Sequence, residues 1–253
     1  SIDSGVTGIG DYAFYYCDKL ESITIPGSVI RIGDYAFEHC TGLTSIVIPE
    51  GVKSIGDYAF NSSVNLEKIT LGAGVKEIGR YVFGDCNSLL NIEVSAANQH
   101  YKSVDGVLYS KDGKTLIAYP GGRTEKSFKI PDGVTVIADG ALDCSSLTEI
   151  YIPKSVIEIN SFISCKNIYY SGSKTEFDKI DGRFFVLSEK NYDAKPNEKY
   201  DINCDDKINV LDIIGIKKAI SAGETKTYQS DINSDGLLNA EDAAALKKRL
   251  LNY

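Results

Sequence analysis

Ala13-Phe14, Ala36-Phe37, Ala59-Phe60 and Val82-Phe83 recur every 23 residues (36 − 13), and most of the neighbouring apolar positions keep the same step. Leu20, Leu43, Leu66 and Leu89 follow it, as do Ile23, Ile46, Ile69 and Ile92. Ile9, Ile32, Ile55 and Ile78 form another column, Val29, Val52 and Val75 a further one, and Pro26 and Pro49 recur in two copies. A fixed step of this length means one structural unit repeated along an axis. Within a unit, Ile23 and Ile25 alternate with Ser22 and Thr24, the period of a strand with one buried face. The Ala-Phe turn sends a large ring and a small partner into the same core from the opposite wall. One coil cannot bury that face alone, so the coils must stack.

The period breaks at Ser95. Residues 104–120 read as two strands around Asp112-Gly113, a strong hairpin signal. The repeat resumes at Ile130-Pro131 with Val134, Ile137, Ala141, Leu147, Ile150, Ile152-Pro153 and Val156, then degrades through Phe162, Cys165 and Ile168. A terminal repeat departs from the consensus because it must present a soluble outer face. The expected boundaries are a solenoid over 1–187, with a hairpin insert at about 95–128 and a cap at about 169–187. A period of 23 lies in the leucine-rich-repeat range. The pattern, insert included, resembles the BspA-like leucine-rich repeats of bacterial surface and secreted proteins. That resemblance implies a mostly β solenoid and a role in binding or adhesion.

A net charge of −8 and a pI near 4.9 argue against nucleic acid, whose binders carry a basic footprint. There is no apolar run of membrane-spanning length. The chain opens without Met or a signal-peptide core, and Ile2 and Val6 already fit the repeat, so Ser1 is read as a cut through a longer protein. Cys17, Cys40 and Cys86 share one repeat position with Ser63, and Cys144 and Cys165 fall close to its equivalent. Stacked coils put such positions about 4.8 Å apart, beyond the roughly 3.8 Å between Cβ atoms of a disulfide. A column of buried free thiols is therefore expected. Tyr12, Tyr35, Tyr58 and Tyr81 form an aromatic column, read as stacking between repeats in preference to a sugar platform. Asp11, Asp34 and Asp57 run beside it, too regular for the asymmetric acid–base pair of a glycosidase. His39 and His100 are far apart, and no nucleophile elbow, zinc helix or phosphate loop occurs. No catalytic residue is assigned and no enzyme is expected.

Residues 188–199 are polar, contain Pro196 and read as a linker. Beyond them, residues 201–212 and 231–242 are two copies of one pattern, with oxygen-bearing side chains at loop positions 1, 3, 5, 9 and 12. That spacing wraps a loop around a hard cation. Ile213, Ile214, Ile216, Ala219 and Ile220 can line a helix after the first loop, and Ala243, Ala244, Leu246, Leu250 and Leu251 after the second. The linker cannot supply the entering helix of an EF-hand. Position 12 is Asp (Asp212, Asp242), and basic pairs Lys217-Lys218 and Lys247-Lys248 follow. Residues 200–253 thus resemble a type I dockerin, the small all-α calcium-dependent plug for a cohesin.

The resemblance implies two Ca2+. Asp201, Asn203, Asp205, the Lys207 carbonyl, Asn209 and Asp212 would hold one, and Asp231, Asn233, Asp235, the Leu237 carbonyl, Asn239 and Asp242 the other. It implies cohesin contacts at Val210, Leu211, Lys217 and Lys218 and at Ala240, Glu241, Lys247 and Lys248. The expected function is a non-catalytic, extracellular cellulosome component whose dockerin binds a scaffoldin cohesin and whose solenoid recognises a protein or glycan. The alternatives are a surface-attached adhesin and the non-catalytic part of a polysaccharide-degrading enzyme cut before Ser1.

Overall fold

The computed structural model describes residues 2–143, 147–163, 165–182 and 189–191. The chain divides into Ser1–Tyr192 and Asp193–Tyr253, and every described residue lies in the first unit. That unit is a β-solenoid whose coils are joined by three parallel backbone ladders. Strands Gly8–Ile9, Arg31–Ile32, Ser54–Ile55 and Glu77–Ile78 pair in register to form the first. Ser45–Ile48, Lys68–Leu71 and Asn91–Val94 form the second. The third runs through the Ala-Phe turns. There the N–H groups of Tyr35, Phe37 and His39 donate to the carbonyls of Asp57, Ala59 and Asn61, at 2.8–3.0 Å. This turn holds Tyr12, Tyr35, Tyr58 and Tyr81 at φ of 52–60°, a left-handed conformation that ring-bearing residues rarely adopt. The ladder bonds made on both sides of each turn offset that strain.

The core follows from the columns. Ile32 and Ile55, Phe37 and Phe60, Leu43 and Leu66, Ile46 and Ile69, and Val52 and Val75 are all buried in one cluster. Each such side chain contributes roughly 1.5–3 kcal/mol by leaving water. The Ile-Gly-Asp signature has a steric cause. A Cβ on Gly33, Gly56 or Gly79 would come within 2.6 Å of the backbone nitrogen of Asp11, Asp34 or Asp57 in the preceding coil. Those carboxylates in turn accept the N–H of Asp34, Asp57 and Arg80 at 2.8–2.9 Å. The glycine permits the approach and the aspartate caps it.

One expectation is extended and another corrected. The expected hairpin about Asp112-Gly113 is present, and a further strand before it makes the insert a three-stranded meander. Tyr101–Val104 pairs antiparallel with Val107–Ser110 across Asp105-Gly106, and Val107–Ser110 pairs with Thr115–Ala118 across the expected Asp112-Gly113 turn. The first strand was hidden because Tyr101, Lys102 and Ser103 lack apolar alternation and are only half-buried. In the first coil, Ile23 and Ile25 pack inward, but no strand forms over Ser22–Ile25; the second ladder begins at Ser45–Ile48. The first coil is instead joined to the next through Gly8–Ile9 and through the N–H groups of Tyr12, Phe14 and Tyr16.

The meander divides two cores. Leu108 and Ala118 belong to the first, while Val107, Tyr109 and Leu116 belong to a second built from Ile130, Ile137, Ile150, Ile152 and Ile168. A register shift between Leu116 and Ala118 turns the two ends of one strand toward different cores. Thr115–Ala118 then serves as the first rung for Val136–Ile137 and Glu158–Ile159, so the insert restarts the stack. Ser127–Lys129, Glu149–Ile152 and Asn167–Tyr170 form the new strand ladder. Within the segment read as cap and linker, a short capped helix occupies Lys174–Phe177, and Glu189–Asn191 adds an outer parallel strand.

Candidate functional site

All twelve residues assigned to calcium (Asp201, Asn203, Asp205, Lys207, Asn209, Asp212, Asp231, Asn233, Asp235, Leu237, Asn239 and Asp242) lie outside the described residues. So do the eight assigned to the cohesin: Val210, Leu211, Lys217, Lys218, Ala240, Glu241, Lys247 and Lys248. Among the described residues, no cluster of three or more His, Cys, Asp or Glu side chains could hold a metal.

The repeated polar columns prove structural. Cys17, Cys40, Cys86 and Cys165 are free thiols, while Cys144 and Cys204 lie outside the described residues. The Cys40 and Cys86 thiols donate to the carbonyls of Phe14 and Phe60 at 3.1 Å, and Ser63 makes the same bond to Phe37 at 2.9 Å. Burial pushes both thiols up to about 12, which removes them as nucleophiles. The tyrosine rings stack at 4.8, 4.9 and 5.2 Å, nearly parallel. Gly140 ends their column: its Cβ would lie 2.6 Å from Cδ1 of Tyr81. His39 stacks on Tyr16 at 4.2 Å, and the backbone N–H of His100 donates to Asn98 Oδ1 at 2.8 Å.

The outward face of the strand ladder is the richer surface. Lys68 and Glu93 pair at 2.8 Å, and Thr70 donates to the same carboxylate at 3.2 Å. Those bonds, the Lys68 one foremost, hold the Glu93 carboxyl below its usual range. Beyond Asn91–Val94 the ladder stops. The next strand in that place, Ser127–Lys129, belongs to a separate sheet.

At this break lies a cleft of about 460 Å³ bounded by Leu90, Asn91, Asp105, Gly106, Arg123, Thr124 and Glu125. It adjoins a narrower hollow of about 230 Å³ that shares Asp105, Arg123 and Glu125 and adds Val107, Tyr109, Tyr119, Phe128 and Lys129. The Asp105-Gly106 turn fixes one wall: the Gly106 carbonyl accepts the Ile92 N–H at 3.0 Å. Gly106 has φ +79°, and a Cβ there would meet Asn91 Oδ1 at 2.8 Å. Arg123 fixes the other. Its Nη2 donates to Glu125 at 2.8 Å, its Nη1 to the Asp105 carbonyl, and its guanidinium lies 5.5 Å over the Tyr119 ring. The Arg123 hydrogen bond holds the Glu125 carboxyl below its ordinary value. Tyr109 is 4% exposed, and burial pushes its hydroxyl up to about 12, with Arg123 pulling the other way.

Sequence reasoning did not single out Asp105, Tyr109, Arg123 or Glu125, because none repeats. Their one signal was position: they flank the place where the period fails. Asn98 was missed likewise. It is fully buried and donates to the carbonyls of Gly72 and Val75 at 2.9 Å, pinning the insert to the preceding coils.

The model of the BspA type leucine rich repeat region matches residues 7–105 and 122–192 in six copies. The chain belongs to the BspA-type leucine-rich repeat family. The unmatched stretch, 106–121, is where the meander's second and third strands fall. Residues 199–251 match the dockerin type I domain, so the solenoid is followed by a type I dockerin. Dockerins of this type bind calcium and cohesins, and both matched domains are of non-catalytic types. A leucine-rich repeat protein from Eubacterium ventriosum ATCC 27560 is similar in structure, with a TM-score of 0.51 and 23% identity over 76% of this chain. The match spans 61% of that protein and shows the fold alone. A leucine rich cell surface protein from Faecalibacterium prausnitzii A2-165 matches at TM-score 0.48 and 24% identity, over 72% of this chain and 74% of that one. No curated protein matches the chain. No helix among the described residues is long and apolar enough to cross a membrane.

Proposed function

We propose that this BspA-type protein is a non-catalytic extracellular component that docks onto the cohesin of a scaffold protein and presents its solenoid to a protein or glycan partner. The carrying observation is the doubled loop at 201–212 and 231–242, each followed by a basic pair, inside the segment matched as a dockerin. The donor set suits calcium. Every side-chain ligand in the pattern is an Asp or Asn oxygen, with no thiolate or imidazole that would favour a softer metal. Asp201, Asn203, Asp205, Asn209 and Asp212 would hold one ion with the Lys207 carbonyl. Asp231, Asn233, Asp235, Asn239 and Asp242 would hold the second with the Leu237 carbonyl. Binding of the ions neutralises carboxylates that would otherwise repel, and so couples metal to folding.

Val210, Leu211, Lys217 and Lys218, with Ala240, Glu241, Lys247 and Lys248, are the residues proposed to meet the cohesin. The copies differ, Val-Leu against Ala-Glu, so one docking orientation should dominate. The test is calorimetry of the full chain against a panel of cohesins, with calcium and with excess chelator. Binding should occur in calcium and vanish in chelator. Binding that survives chelation, or that survives Asp201→Ala combined with Asp231→Ala, would overturn the proposal.

A further inference from the structure

We propose that the hollow at the break in the strand ladder binds a neutral sugar residue of a glycan. This rests on the reading of the solenoid as the recognition end of the chain and names the ligand class and the place.

Charge balance comes first. The walls carry Asp105 and Glu125 against Arg123 and Lys129, so neither an anion nor a cation is favoured on entry. The polar groups are mixed in kind. Carboxylates only accept hydrogen bonds and a guanidinium only donates them, and a pair of neighbouring sugar hydroxyls can do both at once. Arg123 is already held by Glu125, by the Asp105 carbonyl and by the Tyr119 ring, so its two remaining N–H groups are offered without loss of side-chain freedom.

The buried hydroxyl of Tyr109 is the second observation. Tyr109 lines the hollow, is 4% exposed as a residue, and its hydroxyl makes no hydrogen bond to another described residue. Buried hydroxyls are normally satisfied, and a site that leaves one open awaits a partner. Apolar surface completes the fit. Val107 and Phe128 line the interior, and Leu90 and Val104 at the rim are 52% and 45% exposed. A sugar ring presents just this combination, apolar C–H faces with hydroxyls around the edge. An extended peptide would instead dock through backbone bonds to a strand edge; of the two strands at this break, Ser127–Lys129 is three residues long, and the edge of Asn91–Val94 is covered where the Ile92 N–H donates to the Gly106 carbonyl.

The experiment is titration of the calcium-loaded full chain with cellohexaose, xylohexaose, mannohexaose and maltohexaose, read by calorimetry and saturation-transfer NMR. At least one should bind with Kd of about 1 mM or tighter. Asp105→Asn should weaken that binding at least about tenfold, and Tyr109→Phe about threefold or more. Tyr109→Phe removes a single oxygen and leaves the packing intact, so it reports even if Arg123→Ala disturbs the fold. No saturable binding by any of the four, or affinity unchanged by both Asp105→Asn and Tyr109→Phe, overturns the inference. A parallel array of extended peptides separates the two levels. Peptide binding that Asp105→Asn abolishes, with no sugar binding, leaves the solenoid as a recognition module and removes the sugar. Sugar binding that persists in chelator while cohesin binding is lost assigns the two activities to different parts of the chain.

Discussion

The Asp57 carboxylate accepts three hydrogen bonds from Arg80 in the next coil, from its backbone N–H at 2.8 Å and from Nε and Nη2 at 3.0 and 2.7 Å. Elsewhere in the column the aspartates accept fewer bonds: Asp34 takes the N–H of Asp57 at 2.9 Å, and Asp11 takes the N–H of Asp34 at 2.9 Å and one guanidinium bond from Arg31 at 2.8 Å. Partial burial raises the Asp57 carboxyl, but the Arg80 bonds together outweigh it and hold the group below its usual range. Asp57→Ala should therefore cost about 1–2 kcal/mol, the range for charge-assisted bonds at a partly exposed site. A depressed carboxyl contributes stability above its unfolded value, near 4, and loses it as pH falls through the folded value. Thermal melts of the full chain should show Asp57→Asn losing less stability than wild type between about pH 5 and pH 3. Parallel pH curves for the two proteins would refute this.

Cys86 and Ser63 occupy the same repeat position and donate to equivalent phenylalanine carbonyls, at 3.1 and 2.9 Å. Cys86→Ser should thus be tolerated within about 1 kcal/mol, whereas Cys86→Ala should cost about 1–2 kcal/mol by losing the thiol's bond and leaving a small void, although the Phe60 carbonyl keeps the Ser63 N–H at 3.2 Å. With the Cys40 and Cys86 thiols pushed to about 12, the thiolate fraction at pH 8 is about one in ten thousand. Iodoacetamide followed by peptide mass spectrometry should leave both unmodified in the native chain and alkylate both in guanidinium chloride. Rapid native labelling of either would contradict the buried column.

What was legible in the sequence is what repeats. The columns of Ile, Phe, Leu and Val announce the stack because each side chain fills the same place in successive coils, and the structure puts those columns in one core. The bonds that set the columns were less visible. Nothing in the Cys17/Cys40/Cys86 spacing says that a thiol can stand where Ser63 donates to a carbonyl. The hollow was illegible for a different reason: Asp105, Tyr109, Arg123 and Glu125 are brought together by a strand that is missing from the ladder. Periodicity has no term for an interruption. The first meander strand was lost likewise, since Lys102 and Ser103 are half-buried polar residues held by antiparallel pairing with Tyr109 and Leu108.

Gly56 sits where two coils nearly touch. A Cβ there would stand 2.2 Å from Asp34 Oδ1, 2.6 Å from the Asp34 nitrogen and 2.7 Å from the Gly33 carbonyl carbon. Two of those atoms are backbone, held by ladder bonds on both sides, and cannot give way cheaply. Gly56→Ala should cost more than about 2 kcal/mol or prevent folding. Gly10 holds the same repeat position in the first coil and has nothing within 4 Å, so Gly10→Ala should be neutral within about 0.5 kcal/mol. Urea denaturation followed by tyrosine near-UV circular dichroism would compare the pair. Equal effects would show that the coil contact does not govern this glycine.

In the two proposed calcium loops, position 6, where a loop of this pattern turns sharply, is Asp206 in the first and Gly236 in the second. That turn favours a left-handed backbone, which costs an L-residue about 1–2 kcal/mol and Asp somewhat less. The first site should bind calcium more weakly, and Asp206→Gly should tighten it by about threefold to tenfold, equivalent to about 0.7–1.4 kcal/mol. Calcium titration of the full chain by calorimetry, in wild type, Asp206→Gly and Asp242→Ala, would resolve the two steps. Asp242→Ala should remove the tighter step and sharply reduce cohesin binding, because a segment of this size has too small a core to hold its shape on one weak ion. Two steps of equal affinity, unmoved by Asp206→Gly, would show that the turn residue does not set the difference between the loops.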